Sequence, residues 1–289
     1  MALLGFAKPE FLLRPRNLLR RLRYRNTAGL PERMEVQVLG RPFALNPNEV
    51  IGRHILHYGL FDLLVSETLW RLTDPGETAL DVGANIGFMT RILAERVSST
   101  GRVHAFEPHP EIFAELCANT AQPQVTQHHV AASESAGTAL LHLPAFFTGN
   151  RGIGSMEQPA DSTQSIEIVT LTLDELLADA GPIGMMKIDV EGHELKVLMG
   201  ASELLRAGRI RDIVFEEHDT VGSPLFVFLA DHGYSVFRLY KGFRGPRLLG
   251  MDRKVQESGW ESPSFLATLE PVRATQRLSA RGWSSLASV

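Results

Sequence analysis

The chain has 289 residues, a net charge of −4, 44% hydrophobic residues and 21% charged residues. That balance supports a large buried core and one α/β domain with additions, and the acidic total argues against nucleic acid as a partner. One cysteine, Cys117, excludes an internal disulfide and a zinc cluster and fits a reducing, cytoplasmic setting; no apolar run reaches the ~18 residues that cross a bilayer.

Charge is unevenly placed. Residues 1–30 hold Lys8, Arg14, Arg16, Arg20, Arg21, Arg23 and Arg25 against one acid, Glu10. The run "FLLRPRNLLRRLRYR" reads either as a solvated, fraying helix or as a peripheral contact with an anionic membrane surface or an acidic partner. It defines a basic leader, residues 1–30, ahead of a domain expected at 31–270. A Ser/Ala/Arg-rich tail, 271–289, is expected to be weakly ordered.

"RMEVQVLGRPFAL" alternates on both sides of Leu39-Gly40 and predicts a β-hairpin. Apolar residues at helical spacing run from Asn48 to Thr73. "ETALDV" then opens a strand–helix alternation. Helix "GFMTRILAERV", strand "GRVHAFE", helix "HPEIFAELCANTA" begun by Pro110, and strand "QVTQHHVAAS" follow. "GTALLHL" and "SIEIVTL" read as an inserted hairpin around a loop, Pro144 to Gln164, of a length that is usually functional or disordered. The alternation resumes with "TLDELLADA", N-capped by Thr172, and continues through "GMMKID", "EGHELKVLMGASELLRAG", "IRDIVFEEH" and "SPLFVFLADHG". The strands "YSVFRLY" and "SPSFLATLE" complete the set. Strands separated by helices predict an α/β fold with a mostly parallel sheet covered on both faces. The last two strands lack a helix between them and are expected to pair antiparallel at an edge.

In "DVGANIG", Gly83 and Gly87 flank the first strand-to-helix turn, where open parallel sheets bind ligands. Gly83 is read as allowing close backbone approach and Gly87 as letting the next helix start against the strand, with its amides facing a ligand. A dinucleotide site wants G-x-G-x-x-G. Here the middle glycine is missing, and Asp81 at the strand tip would repel a pyrophosphate. The same acid suits a cofactor with an ammonium and a sulfonium but no phosphate, S-adenosyl-L-methionine (SAM). Glu107, ending the next strand, can accept two ribose hydroxyls and would serve either SAM or NAD.

Together with "VHAFEPHP", "TLDEL", "MKIDVEGHELKVLMGA" and "VFEEH", in that order, this turn resembles the FkbM-type SAM-dependent methyltransferases over roughly Glu49 to His218. The resemblance implies a Rossmann-like class I methyltransferase fold with seven strands in the order 3-2-1-4-5-7-6. It also implies O-methylation of a hydroxyl on a sugar, glycan or secondary metabolite. By position it implies that Asp81, Gly83, Asn85, Ile86 and Gly87 line the methionine and ribose part of SAM and that Glu107 holds the ribose hydroxyls. Phe106, Pro108 and the loop Ala131 to Ser133, with Ala132 between, would border adenine. "GNRGIGS" resembles a family N-x-G-x-x-S loop near the active site, here Asn150, Gly152 and Ser155. Asp62 and Ser264 depart from the family's usual Glu and Asn.

Methyl transfer to a hydroxyl needs an aligned nucleophile and a base. Asp189 ends "MMKID", and strand alternation puts Glu216 and His218 on one face of "VFEEH" and Glu217 on the other. Asp189 or His218 is expected as the base, with Glu216 orienting. One alternative is a divalent cation held by Asp189, Glu216 and His218. The plainer alternative is a salt-bridged cluster with Lys187 or Lys196. Two further function classes stay open, an NAD-linked oxidoreductase and a non-catalytic SAM- or nucleotide-binding protein of the same fold. The acceptor is expected to be a small molecule or glycan, selected by Pro144–Gln164 and Lys241–Pro263.

Overall fold

A computed structural model describes residues 9–27, 29–157, 162–217, 222–253 and 263–288. Two short helices, α1 (Pro9–Leu12) and α2 (Pro15–Arg23), precede the expected hairpin, β1 (Met34–Val38) and β2 (Arg41–Leu45). The apolar stretch read as one helix is two, α3 (Val50–Tyr58) and α4 (Leu63–Leu72). Gly59, at φ 79°, ends the first, and the Asp62 carboxylate caps the second by accepting from the amides of Leu64 and Val65 at 3.0 Å. The periodicity runs through the break because both helices bury their apolar sides in one core.

β3 (Thr78–Val82), α5 (Phe88–Val97), β4 (Arg102–Phe106), α6 (Pro110–Asn119) and β5 (Val125–His128) follow as read. The strand expected to run on to Ser133 stops at His128. β6 (Ala131–Ala132) leaves the main sheet and joins the inserted hairpin, β7 (Gly137–Pro144) and β8 (Ser162–Leu171), in a separate sheet of order β6-β8-β7. Next come α7 (Leu173–Leu176), whose N-cap Thr172 accepts from the Glu175 amide at 3.1 Å, and β9 (Ile183–Ile188). The helix read after β9 is again two, α8 (Glu194–Met199) and α9 (Ser202–Arg206). β10 (Ile210–Glu216), α10 (Pro224–Asp231), β11 (Ser235–Gly242), β12 (Gly245–Leu249), β13 (Ser264–Thr268), α11 (Pro271–Leu278) and α12 (Ser284–Ser288) complete the chain.

The main sheet has the order β12-β11-β13-β10-β9-β3-β4-β5. Read from β5, it holds the expected seven strands in the expected sequence, with β12 added as an eighth at the edge. The last two strands of the set, β11 and β13, pair antiparallel as expected, and β13 lies between β11 and β10, antiparallel to both. β12 comes from the segment beyond Lys241 that sequence alone left unstructured; residues 254–262 of that segment lie outside the described residues. Alternate residues of the central strands feed two cores. Met185 enters the one shared with α4 and α5, and Met186 and Ile188 enter the one shared with α8 and α9.

The tail is where the fold departs most from the sequence reading. Residues from Pro271 form α11 and α12, and Ala274, Leu278, Trp283 and Leu286 are buried in the main core. Arginines, which looked like a sign of disorder, hold it in place. Arg273 bonds Asp212 and Asp74, and Arg277 bonds Asp74. Across from them the fully buried Glu67 accepts from the amides of Ser284 and Ser285 at 2.8 and 2.7 Å. A carboxylate at that helix start meets unpaired amides and the positive end of the helix. Arg71 pairs with Glu67 and donates to the carbonyls of Arg277, Ala280 and Gly282. Glu67→Ala is therefore expected to destabilise the fold by roughly 3–5 kcal/mol, the cost of stripping one partner from a buried ionic group. Urea unfolding measures it, and a loss within error of zero would show that the tail's anchor lies elsewhere.

Candidate active site

A cavity of about 1030 Å³ opens at the carboxyl ends of β3, β4, β9 and β10, where a parallel sheet of this order places its ligands. It is at the top of the range for single-ligand pockets, which leaves room for a cofactor and an acceptor together.

Lys187 on β9 organises its floor. The ammonium donates to the Gly83 carbonyl at 2.8 Å and lies 3.4 Å from both Asp81 and Asp189. Burial works against the charged form, but Asp189 and Asp81 outweigh it and hold the Lys187 pKa well above its ordinary value. Asp81 is fully buried, also accepts from the Thr90 hydroxyl at 2.6 Å, and does not line the cavity. Its charge is met inside the protein. Within the protein Asp81 fixes Lys187 and the start of α5.

The glycine turn also differs from its sequence reading. Gly83, Asn85 and Gly87 all take positive φ, 77°, 49° and 91°. A Cβ on Gly83 would lie 1.9 Å from the Asp189 carbonyl, so the glycine admits neighbouring backbone. A Cβ on Gly87 would strike Thr120 and Leu116 on the α6 side, and Gly87 does not line the cavity. The turn's amides are already committed. Gly83 and Ala84 donate to the Phe106 carbonyl at 3.1 and 2.9 Å, Asn85 to Glu107 at 3.0 Å, Ile86 to the Asn85 side chain at 2.8 Å, and Gly87 to the Ala84 carbonyl at 2.9 Å. The turn's own backbone is therefore not free to cradle a pyrophosphate. This weighs against the dinucleotide reading more directly than the Asp81 charge, which Lys187 offsets.

Glu107 stands where expected, lining the cavity beyond β4. One oxygen accepts from the Asn85 amide and the other from the His109 amide at 2.9 Å, so the carboxylate is held flat across the turn. Burial raises its pKa to about 7 in spite of those two bonds. Phe106, Pro108, Ala131 and Ala132 add apolar wall beside it. Ser133 does not line the cavity. Its hydroxyl is 3.0 Å from His193 Nε2, whose Nδ1 lies 3.3 Å from Glu157. This serine–histidine–glutamate chain is no hydrolytic triad, because the hydroxyl is buried away from the cavity.

The loop from Pro144 folds over the other side. Arg151 pairs with Glu115 on α6 and with Glu49 at the start of α3, and so clasps the loop down. Asn150 and Gly152 then line the cavity, with Phe147 against His109. Ser155 does not. Its hydroxyl donates to the Glu191 carbonyl at 2.6 Å and ties the loop to the turn after β9. Residues 158–161 of the loop lie outside the described residues.

Asp189, Glu191 and Glu216 all line the cavity, and Glu217 points away to accept from Ser223, as strand alternation requires. His218 lies outside the described residues, so its expected convergence with Asp189 and Glu216 is not drawn. Among the described residues no group of three or more His, Cys, Asp or Glu is arranged to hold a metal. Lys196 belongs to a separate pair with Glu157 at 2.9 Å. Glu191, which sequence alone offers only as an acid at the start of "EGHELKVLMGASELLRAG", is a cavity residue. It sits at φ 52° on the turn before α8, and burial, then the charges of Asp189 and Glu194, raises its pKa to about 7. Its doublet "EG", both residues at positive φ, was the available signal.

Strand order, a β13 inserted antiparallel beside β10, and a glycine turn with its carboxylate partner define a Rossmann-like methyltransferase. The chain belongs to the methyltransferase FkbM domain family, whose model matches residues 81–236. It is similar to the 31-O-demethyl-FK506 methyltransferase FkbM of Streptomyces tacrolimicus, 31% identical over 56% of this chain and 74% of that one. It is also similar to the hexuronic acid methyltransferase AglP of Haloferax volcanii, 32% identical over 48% of this chain and 54% of that one. Among solved structures, Aeropyrum pernix fibrillarin with bound S-adenosyl-L-methionine aligns over 79% of this chain and 90% of its own, at 13% identity and a TM-score of 0.41.

The Lys187 hub carries a stability prediction. Lys187→Met strands Asp81 as a buried unpaired carboxylate and is expected to cost roughly 3–5 kcal/mol. Adding Asp81→Asn should recover part of that loss, and urea unfolding of the four proteins closes the cycle. Strictly additive losses would mean that the two groups do not interact.

Proposed function

We propose that the chain transfers the methyl group of SAM to a hydroxyl of a sugar-bearing or secondary-metabolite acceptor. The observation that carries the reading is Glu107, a carboxylate fixed by two backbone amides at the tip of β4 beside a turn whose own amides are bonded within the protein. Each of its oxygens keeps a lone pair for a ribose hydroxyl. In this reading Gly83, Asn85 and Ile86 border the methionine end, and Phe106, Pro108 and Ala132 border adenine. Asp81 and Lys187 hold the floor on which the cofactor rests. The names of the two relatives support an oxygen acceptor, one specifying an O-demethyl position of FK506 and the other a hexuronic acid.

When bound, SAM supplies a methyl group on an already reactive sulfonium. What the protein adds is alignment and removal of the acceptor's proton. Glu191 is the base in this reading. It faces the cavity, and its pKa, raised to about 7, suits proton uptake at neutral pH. Asp189 and Glu216 orient the hydroxyl. Asn150, Gly152 and Phe147 close the acceptor side.

Calorimetry with SAM and its demethylated product tests the cofactor. Binding at protein concentrations near ~100 µM is expected, and silence there with both compounds would overturn the reading. The ionised form of Glu107 is the one that accepts two hydroxyls. Because its pKa is raised to about 7, binding below that pH must first expel a proton. Affinity for SAM should therefore fall as pH drops below about 7, approaching roughly ten-fold per unit, and Glu107→Gln should flatten the dependence. Glu191→Gln should leave SAM binding intact and lower kcat by roughly 10²–10⁴-fold. A Glu191→Gln enzyme with wild-type turnover and an unchanged pH profile would exclude it as the base.

A further inference from the structure

The basic leader docks with one face, and the other is exposed among the described residues. On α2 the buried Asn17 donates to the Tyr58 carbonyl at 2.6 Å and to the Glu10 carbonyl at 3.1 Å. Arg21 and Glu10 reach the cavity wall, and Glu10 pairs with Lys241 of β11. The leader thus forms part of the cavity's rim. Its outer face carries Leu19 and Leu22, 68% and 60% exposed, with the exposed Arg16 and Arg23 beside them. Leu13, at the joint with α1, is 53% exposed.

Two properties of this face select its occupant. The first is charge. Residues 9–27 hold six arginines and one glutamate, while the whole chain is at −4, so the molecule is strongly polarised with the leader as its positive pole. The cations crowd one another: burial, then the charges of Arg20 and Arg16, lowers the Arg14 pKa. An anionic surface relieves that crowding and repels the rest of the molecule, which fixes orientation as well as contact. The second is the mixture. Leu19 and Leu22 are each flanked by arginine and form no continuous apolar ridge of the kind a protein groove accepts. Leucines that enter the acyl boundary while guanidinium groups stay at the headgroups suit the interface of a bilayer.

We infer that α2 seats this protein on an anionic lipid surface with the mouth of the cavity turned toward the headgroup layer. An acceptor hydroxyl carried at headgroup level then enters beside Arg21 and Tyr58. Seating on lipid does not depend on methyl transfer; only the last step rests on the proposed function.

Co-sedimentation of the full chain with vesicles tests it. Phosphatidylcholine vesicles containing phosphatidylglycerol should bind the protein, and phosphatidylcholine alone should bind it at least ten-fold more weakly. Leu19→Asp/Leu22→Asp and Arg16→Glu/Arg23→Glu should each lower the partition coefficient at least ten-fold. Unchanged far-ultraviolet circular dichroism and unchanged SAM heat would show both variants to be folded. A wild-type chain that stays in the supernatant overturns the inference. So does a leucine pair that binds like wild type while the arginine pair does not, because that pattern describes an acidic protein partner. Loss of SAM heat in every sample would instead count against the cofactor reading and leave the vesicle result standing.

Discussion

A single buried ammonium organises the working end of this molecule. Lys187 leaves β9 between two carboxylates and a carbonyl, and each partner comes from a different piece of the site. Asp81 belongs to β3, Gly83 to the turn, and Asp189 to the segment that leads to α8. A cation taken out of water must be surrounded in this way or lose its proton. Its need for partners draws the ends of two parallel strands and the loop between them into one rigid corner. The floor under the cavity is therefore ionic, and the walls, Phe106, Ala132 and Phe147 among them, are apolar.

That corner explains why parts of the sequence were legible and others not. The strand order could be read because it follows from alternating apolar runs and short connections, which are local properties. Glu107 could be read because a strand tip in a parallel sheet has a known outlook. Asp81 has the same local signature, yet its carboxylate turns inward to a lysine more than a hundred residues away, and only the folded sheet brings that lysine near. Ser133 and Ser155 share the fault. Each lies in a segment that borders the cavity, but each hydroxyl is taken by a distant partner, His193 or the Glu191 carbonyl. Glu191 errs in the other direction. Its acidity depends on burial and on Asp189 and Glu194 beside it, none of which a spacing rule weighs.

The glycine turn makes a wider point about anion-binding loops. Counting glycines asks whether backbone can approach a ligand. The more decisive question is whether the amides have anything left to donate. Here five consecutive amides are bonded within the protein, and the residue that makes the turn specific is Asn85. It offers its side chain to the next amide and its own amide to Glu107. The turn is built to present one carboxylate, and the positive φ values at Gly83, Asn85 and Gly87 are the geometry that this requires.

The Glu67 anchor has a consequence for how the protein is made. Glu67 and Ser284 are 217 residues apart in the chain. During synthesis α4 leaves the ribosome early, carrying a carboxylate whose amide partners are yet to be translated. Until residues 284 and 285 emerge, that group must stay hydrated, so the face of α4 that carries it cannot close. The sheet and its cavity can assemble strand by strand, but the half of the core beneath α4 is sealed only once residues 284 and 285 are in place. Closure of that half of the core therefore waits on a partner 217 residues downstream.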